Sequence, residues 1–410
     1  MQEADLARIA TDRSTSLFRP DIQQRADEIR DAVQGARVLV IGGAGSIGSA
    51  TVRELVGFRP AALHVIDQNE NELAELVRSL RSAPEPLAID DFRTLPLDYG
   101  AVSAGAFLRA EAPWDLVLNF AAIKHVRSEK DSFSILQMFD TNIVKQARLL
   151  GWLRDLGFQG RYFSVSTDKA ANPTSLMGAS KRVMEHVMFD PGLVPGLDCT
   201  ITSARFANVA FSNGSLLQSF VNRMRMGQPL AAPKDTRRYF VSLQESGQLC
   251  ALAAVTGVDR HILIPRLDPE TALIEMQLVA ERFCQASGYR PVHYHDEDQA
   301  CRSVARDRAT GRWPLLLTGL DTSGEKPYEE FVADREQVVE LGYQALMGVP
   351  WLAPDDVGTM PRLMAGMEAL FARAANEPVD KDMLKGIIAM AEPDFLNRHR
   401  DTGRNLDQRV

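Results

Sequence analysis

Along the chain, apolar and polar residues switch between two periodicities, and the switches mark out elements. Residues 1–20 carry only a weak helical stripe, Leu6, Ile9 and Ala10. Asp21 reads as the N-cap of a helix with Ile22, Ala26, Ile29 and Val33 on one side and Gly35 as its stop. From Arg37 the pattern changes. Val38-Leu39-Val40-Ile41 is apolar throughout, as expected of a strand covered on both faces. Further strands read at Leu63–Ile66, around Leu87–Ile89, and at Leu116–Phe120, Tyr162–Val165 and Thr200–Phe206 alternate with helical stretches, the longest from about Asp131 to Leu156. Such strand–helix repetition predicts an α/β fold with a doubly wound parallel sheet. Further on, the pattern predicts a helix at Leu216–Met226, an aromatic strand opening with Arg237-Arg238, a helix at Glu245–Val255, a strand at Ile262–Ile264 and a long helix at Glu270–Ser287. After residue 335 it is helical, with Leu363, Met367, Leu370 and Phe371 on one face, as are Leu384, Ile387 and Ile388. The expected organisation is an N-terminal helical extension (1–35), the doubly wound domain (36–210), a smaller mixed α/β part interleaved with it (211–334) and a helical C-terminal extension (335–410).

Composition narrows the class without naming it. The 410 residues are 45% hydrophobic and 24% charged, an ordinary globular balance. A net charge of -8 argues against nucleic-acid binding. Cys199, Cys250, Cys284 and Cys301 are too scattered for a disulfide framework or a zinc knuckle. No apolar run approaches the roughly 18 residues of a membrane span. The first residues lack the basic and apolar regions of a signal peptide, so the expectation is a cytoplasmic protein with no membrane insertion. His293, His295 and Asp296 lack the further ligand that a metal site needs.

The chemistry begins after the first strand, where Gly42-Gly43-Ala44-Gly45-Ser46-Ile47-Gly48 leads into a helix. The spacing fits GxGxxG on Gly43, Gly45 and Gly48, and GxxGxxG on Gly42, Gly45 and Gly48. Both place a pyrophosphate against the free amides at the helix start, as in a Rossmann-type domain. Asp67, nineteen residues after Gly48, ends the second strand, where an acid accepts from an adenosine ribose. No Arg follows it, which favours NAD over NADP. The third strand is expected to deliver Asp90, Asp91 and Phe92 to the adenine, and Ala121 and Ala122 let the backbone approach the cofactor. The fifth strand ends in Thr167-Asp168-Lys169, a hydroxyl, an acid and an amine at a strand tip, where ligands of open parallel sheets bind. By itself the run also fits a solvated ion pair. Met177 and Lys181, four residues apart, share a face of the next helix. Arg237-Arg238 suits an anion contact or a solvated pair.

With these residues in place the chain resembles the extended short-chain dehydrogenases/reductases. More narrowly, it is similar to the nucleotide-sugar 4,6-dehydratases of the capsular polysaccharide (CapD-like) group. The resemblance rests on Gly42–Gly48, Ala121-Ala122-Ile123-Lys124-His125-Val126, Ser166-Thr167-Asp168-Lys169-Ala170, Asn172-Pro173, Met177-Gly178-Ala179-Ser180-Lys181, Arg205–Val209, Arg238-Tyr239-Phe240 and Gly324-Glu325-Lys326. It implies bound NAD, a UDP-N-acetylglucosamine-like substrate, a homo-oligomer, and a redox-neutral reaction giving a 4-keto-6-deoxy sugar. Thr167 and Lys181 would hold the C4 hydroxyl and the nicotinamide ribose. Lys169 would be the C5 base and Asp168 the acid for the C6 oxygen, roles that the sequence leaves exchangeable. The cofactor set would be Gly42, Gly45, Ser46, Ile47, Gly48, Asp67, Asp91, Phe92, Ala121, Ala122, Lys124, Asn142 and Lys181. The substrate set would be Lys124, His125, Asn208, Ser215, Arg238 and Glu325. Two features depart from the wider pattern. Met177 occupies the usual tyrosine position, and a thioether has no proton to exchange; a subset of the dehydratases shares this Met. Thr322-Ser323 replaces the Arg-Pro that usually precedes Gly-Glu-Lys. The alternatives are a nucleotide-sugar epimerase or 4-keto reductase of the same fold, and a non-catalytic NAD-binding protein.

Overall fold

The computed structural model describes residues 2–85, 87–124, 129–319, 326 and 328–399. Six strands lie parallel: β1 (Arg37–Ile41), β2 (Ala62–Asp67), β3 (Asp91–Pro96), β4 (Leu116–Asn119), β5 (Arg161–Val165) and β6 (Thr200–Ala204). His261–Pro265 extends the sheet beyond β6, and Leu346–Pro350 closes that edge antiparallel. From the other edge the order is β3-β2-β1-β4-β5-β6. It reverses between β1 and β4, so the loops leaving these strands part and open a crevice.

The continuous apolar runs are explained by cover on both faces. Successive side chains of a strand point to opposite sides. Val38 and Val40 join a core that includes Val52 of the helix Ser46–Val56 and Leu252 of the helix Leu243–Thr256. Leu39 and Ile41 join the opposite core, with Ile135, Leu149 and Val183 from the helices Ser132–Phe139, Lys145–Asp155 and Leu176–Phe189. The C-terminal helices Thr359–Ala374 and Lys381–Ala391 add Leu363, Met367, Leu384 and Ile388 to this second core. The helix Leu176–Phe189 is consequently buried at all 14 positions. A separate three-stranded parallel sheet (Leu230–Pro233, Arg312–Thr318, Arg290–Tyr294) has its own core around Phe220, Phe283 and Trp313.

The structure corrects several expectations. The third strand starts at Asp91 rather than around Leu87, because it lies at the sheet edge and tolerates Asp91, Arg93 and Thr94 among its apolar residues. Asp21 is not an N-cap. It lies within a short helix, Arg19–Gln24, and its buried carboxylate accepts from the amides of Gln344 and Ala345. The stretch 270–287 is broken, because Ile274–Glu275 pairs with Arg237–Arg238 before the helix Met276–Ala286 begins. Phe240–Val241 pairs instead with Asn208–Val209, so the aromatic strand is split. The stretch 335–410 is not helical throughout, since Leu346–Pro350 joins the main sheet. No helix among the described residues is long and apolar enough to cross a membrane.

Candidate functional site

A cleft of about 1080 Å³ lies beyond the carboxyl ends of the central strands, at the order reversal. At its floor Gly42 has φ +69°, and a Cβ there would come within 2.5 Å of the Ala121 nitrogen. Only glycine lets the β1 and β4 loops touch in this way. A Cβ on Gly48 would lie 2.7 Å from the Gly43 Cα, so the helix start packs directly on the loop. Gly42, Gly45 and Gly48 line the cleft, whereas Gly43 faces the core between Val40 and Val65. The GxxGxxG spacing is therefore the one that faces the cleft. The helix Ser46–Val56 has Gly45 at its N-cap with no side-chain cap, and Ser46, Ile47 and Gly48 face the cleft. Free amides at a helix start suit an anion. Asp67 also lines the cleft, and its carboxylate accepts from the amides of Ala44 (3.1 Å) and Asn69 (3.0 Å). This cradle fits a dinucleotide.

Ala121, Ala122 and Lys124 line the adjoining wall, with Lys124 exposed. Asn142 is not among the lining residues. From a π-helical turn, Asp140–Val144, it bonds both the amide and the carbonyl of Ile123 (2.9 and 3.0 Å) and the Ser180 hydroxyl (2.9 Å). It thus pins the 121–124 loop to the helix Leu176–Phe189. Asp91 and Phe92 are also outside the cleft, because β3 begins with them and they lie at the opposite end of the sheet. Asp91 is 3.0 Å from His64 and 2.7 Å from Arg93. The cleft position beyond β3 belongs to Leu97, Asp98 and Tyr99, which the sequence reading missed. Their signal was the polar turn after Pro96, obscured by the misplaced strand. Asp98 is fixed by Lys145 at 2.5 Å.

The hydroxyl, acid and amine singled out in the sequence meet at the tip of β5. Thr167 caps a short turn, Asp168–Ala170, and its hydroxyl donates to Asp168 Oδ1 (2.8 Å). Asp168 is buried, with Oδ2 lacking a hydrogen-bond partner. Burial pushes its carboxyl above the usual value, against the pull of Lys169. Lys169 Nζ lies 3.4 Å from Asp168 Oδ1 and 3.2 Å from Glu329 Oε1. Burial alone would lower this amine, but Asp168 and Glu329 outweigh it and hold the pKa up. Glu329, also missed in the sequence reading, comes from a segment 160 residues downstream. Gly178 allows the approach of the turn to the helix, since a Cβ there would overlap the Lys169 carbonyl oxygen. Met177 and Lys181 both line the cleft, and burial lowers the Lys181 amine to about 8.

Asn208 and Ser215 line the far side of the cleft and also an annexe of about 170 Å³, which Arg238 enters with Thr236, Phe240 and Met276. Ser215 caps the helix Leu216–Met226 by accepting from the Gln218 amide. His125 and Glu325 lie outside the described residues. His293, considered above as a metal ligand, pairs with Glu281 at 2.9 Å.

A family described as "Polysaccharide biosynthesis protein" matches residues 38–350. The chain is 29% identical over 312 residues to an uncharacterized membrane protein, MJ1061, of Methanocaldococcus jannaschii, covering 75% of this chain and 84% of that one. It is 25% identical to the probable polysaccharide biosynthesis protein EpsC of Bacillus subtilis (78% of this chain, 49% of EpsC). It is 26% identical to an inverting UDP-N-acetylglucosamine 4,6-dehydratase of Campylobacter jejuni (52% of this chain, 61% of the dehydratase). The chain therefore spans about half the length of EpsC and under two thirds of the Campylobacter enzyme. Among solved structures, Pen from Bacillus thuringiensis superposes with a TM-score of 0.62 at 22% identity, covering 77% of this chain and 88% of Pen. MoeE5 in complex with UDP-glucose and NAD superposes at 0.51 and 17% identity, covering 73% of this chain and 89% of MoeE5. These likenesses show the shared fold.

Proposed function

The chain belongs to the polysaccharide biosynthesis protein family through residues 38–350, and from that membership we propose that it is an NAD-carrying nucleotide-sugar 4,6-dehydratase acting on a UDP-N-acetylglucosamine-like substrate. The observation that carries the reading is the Thr167-Asp168-Lys169 turn, set in the cleft beside Lys181 with Met177 where a tyrosine base would stand. The family supports a role in polysaccharide biosynthesis, and the likeness to the Campylobacter enzyme favours the dehydratase class. NAD fits the cleft: the amides of residues 45–48 would hold the pyrophosphate, Asp67 the adenosine ribose and Lys181 the nicotinamide ribose. When bound, the nicotinamide supplies a hydride acceptor for C4 and later a hydride donor for C6.

The protein's own work is proton traffic. Thr167 and Lys181 orient the C4 hydroxyl. Asp168, whose carboxyl burial shifts upward, is suited to donate to the departing C6 oxygen once it carries a proton. Lys169 is the group for the C5 proton, a role that requires it first to release its own.

Incubation of the purified protein with UDP-N-acetylglucosamine and no added cofactor should yield a sugar lighter by one water in mass spectrometry. An unchanged mass with an inverted C4 would instead favour the epimerase reading. Gly48→Ala should reduce NAD retention at least about tenfold, equivalent to roughly 1.4 kcal/mol. NAD released on denaturation, counted per chain, checks this; retention at the parental level would remove the glycine loop from the cofactor site.

A further inference from the structure

Lys169 is gripped from two sides, and only one of its partners belongs to the strand-tip turn. Asp168 sits beside it in sequence, whereas Glu329 is not among the cleft-lining residues and reaches Nζ from the segment 328–336. That segment is pinned to the fold independently of the lysine. Asn172 Nδ2 donates to Asp334 Oδ1 at 2.8 Å, Arg205 donates to the Phe331 carbonyl at 3.0 Å, and the Tyr239 and Phe331 rings lie 5.2 Å apart. Lys326, just before it, donates to the Ala171 carbonyl at 3.2 Å. Glu329 is itself buried, its side chain 4% exposed, so its bond to Lys169 works where water screens little.

We propose that Glu329 is a positioning residue, anchoring the Lys169 ammonium beside Asp168 from behind the cleft wall and governing its protonation. The inference rests on the dehydratase reading for what Lys169 does, but not for the contact itself. With one acidic side chain on each side, Lys169 Nζ meets Asp168 through Oδ1 only, and Asp168 Oδ2 has no hydrogen-bond partner. Two further cations act on the pair: Arg238 lowers Lys169 and also lowers Glu329, and Lys326 lowers Glu329 too. Taking away an anion next to an ammonium makes the ammonium easier to deprotonate.

The test is Glu329→Gln, which preserves shape and removes the charge, with Glu329→Asp as the conservative partner. Competitive acetylation of Lys169 across pH, read by peptide mass spectrometry on the NAD-loaded protein, should show its apparent pKa falling by about one unit or more in Glu329→Gln. Glu329→Asp should restore most of that value. The limb of the pH–turnover profile belonging to Lys169 should move to lower pH by the same amount, with KM little changed. An apparent pKa equal to that of the parent protein in Glu329→Gln would overturn the proposal. Failure of the parent protein to release water from the sugar would overturn the dehydratase reading instead, and the acetylation result would stand apart from it.

Discussion

Asp168→Asn should turn over at least about 100-fold more slowly than the parent protein while retaining NAD. The lower end of the general acid–base range, about 100-fold, is the appropriate scale, since the variant loses only the transferable proton. The asparagine side chain is nearly isosteric and can still accept from the Thr167 hydroxyl, so the turn should keep its shape. Stability separates loss of chemistry from loss of fold. Burial raises the folded-state pKa of Asp168 above its unfolded value. A carboxyl shifted in that direction favours the folded state at low pH and loses that contribution as pH rises through the raised pKa. Asn cannot ionise, so at neutral pH the variant should melt no lower than the parent. The measurements are single-turnover water loss by mass spectrometry and thermal melting at pH 7. Turnover within threefold of the parent would remove Asp168 as the acid, while slow turnover with early melting would point to damage instead.

The same separation of chemistry from packing explains what the sequence made legible. β1, β2, β4, β5 and β6 sit inside the sheet with apolar neighbours above and below, and in β1, β2 and β4 this cover leaves largely apolar runs that read as buried strands. β3 is an edge strand whose polar residues hide it, and the few residues of error moved Asp91 and Phe92 from one end of the sheet to the other. Asp98 and Tyr99 were lost with that shift. The glycine loop and the Thr-Asp-Lys turn were visible because local backbone and local chemistry coincide in a few consecutive residues. Asn142 was visible as a residue of interest, but its task is to bond the Ile123 backbone, which only three dimensions disclose. Glu329 gave no periodic signal, because its meaning comes from a lysine 160 residues earlier in the chain. The strand Leu346–Pro350 was hidden for a related reason. It is short, ends in Pro and lies at an edge, where alternation is weakly imposed.

Arg205→Met should lower folding stability by about 3–5 kcal/mol, the scale of breaking a buried ion pair by removing one partner. Arg205 follows β6 and is completely buried. It bonds Glu185 of the helix Leu176–Phe189 at 2.6 Å and Glu336 at 2.6 Å. Arg182 contacts the same two carboxylates and reaches Glu392 at 2.9 Å, where His186 also lies at 2.9 Å. The Ser166 hydroxyl, one residue before the reactive turn, donates to Glu185. The cluster thus joins the helix Leu176–Phe189, the strand tip, the segment carrying Glu329 and the C-terminal region. Methionine would remove the guanidinium that both buried carboxylates share, leaving Arg182 as the cation in contact with the two. Burial would raise Glu336, but the hydrogen bonds and charge of Arg205 outweigh it and hold the carboxyl at about 2. A carboxyl depressed on folding adds stability above its unfolded pKa and loses it as pH falls towards 2. The parent protein should therefore weaken between about pH 4.5 and 2 through this group, and Arg205→Met should show a shallower decline over that range. Urea denaturation at pH 7 and at several acidic pH values gives both quantities. A loss below about 1 kcal/mol at pH 7 would mean that the neighbouring carboxylates relax or protonate freely. The cluster would then be no support for the Thr167-Asp168-Lys169 turn.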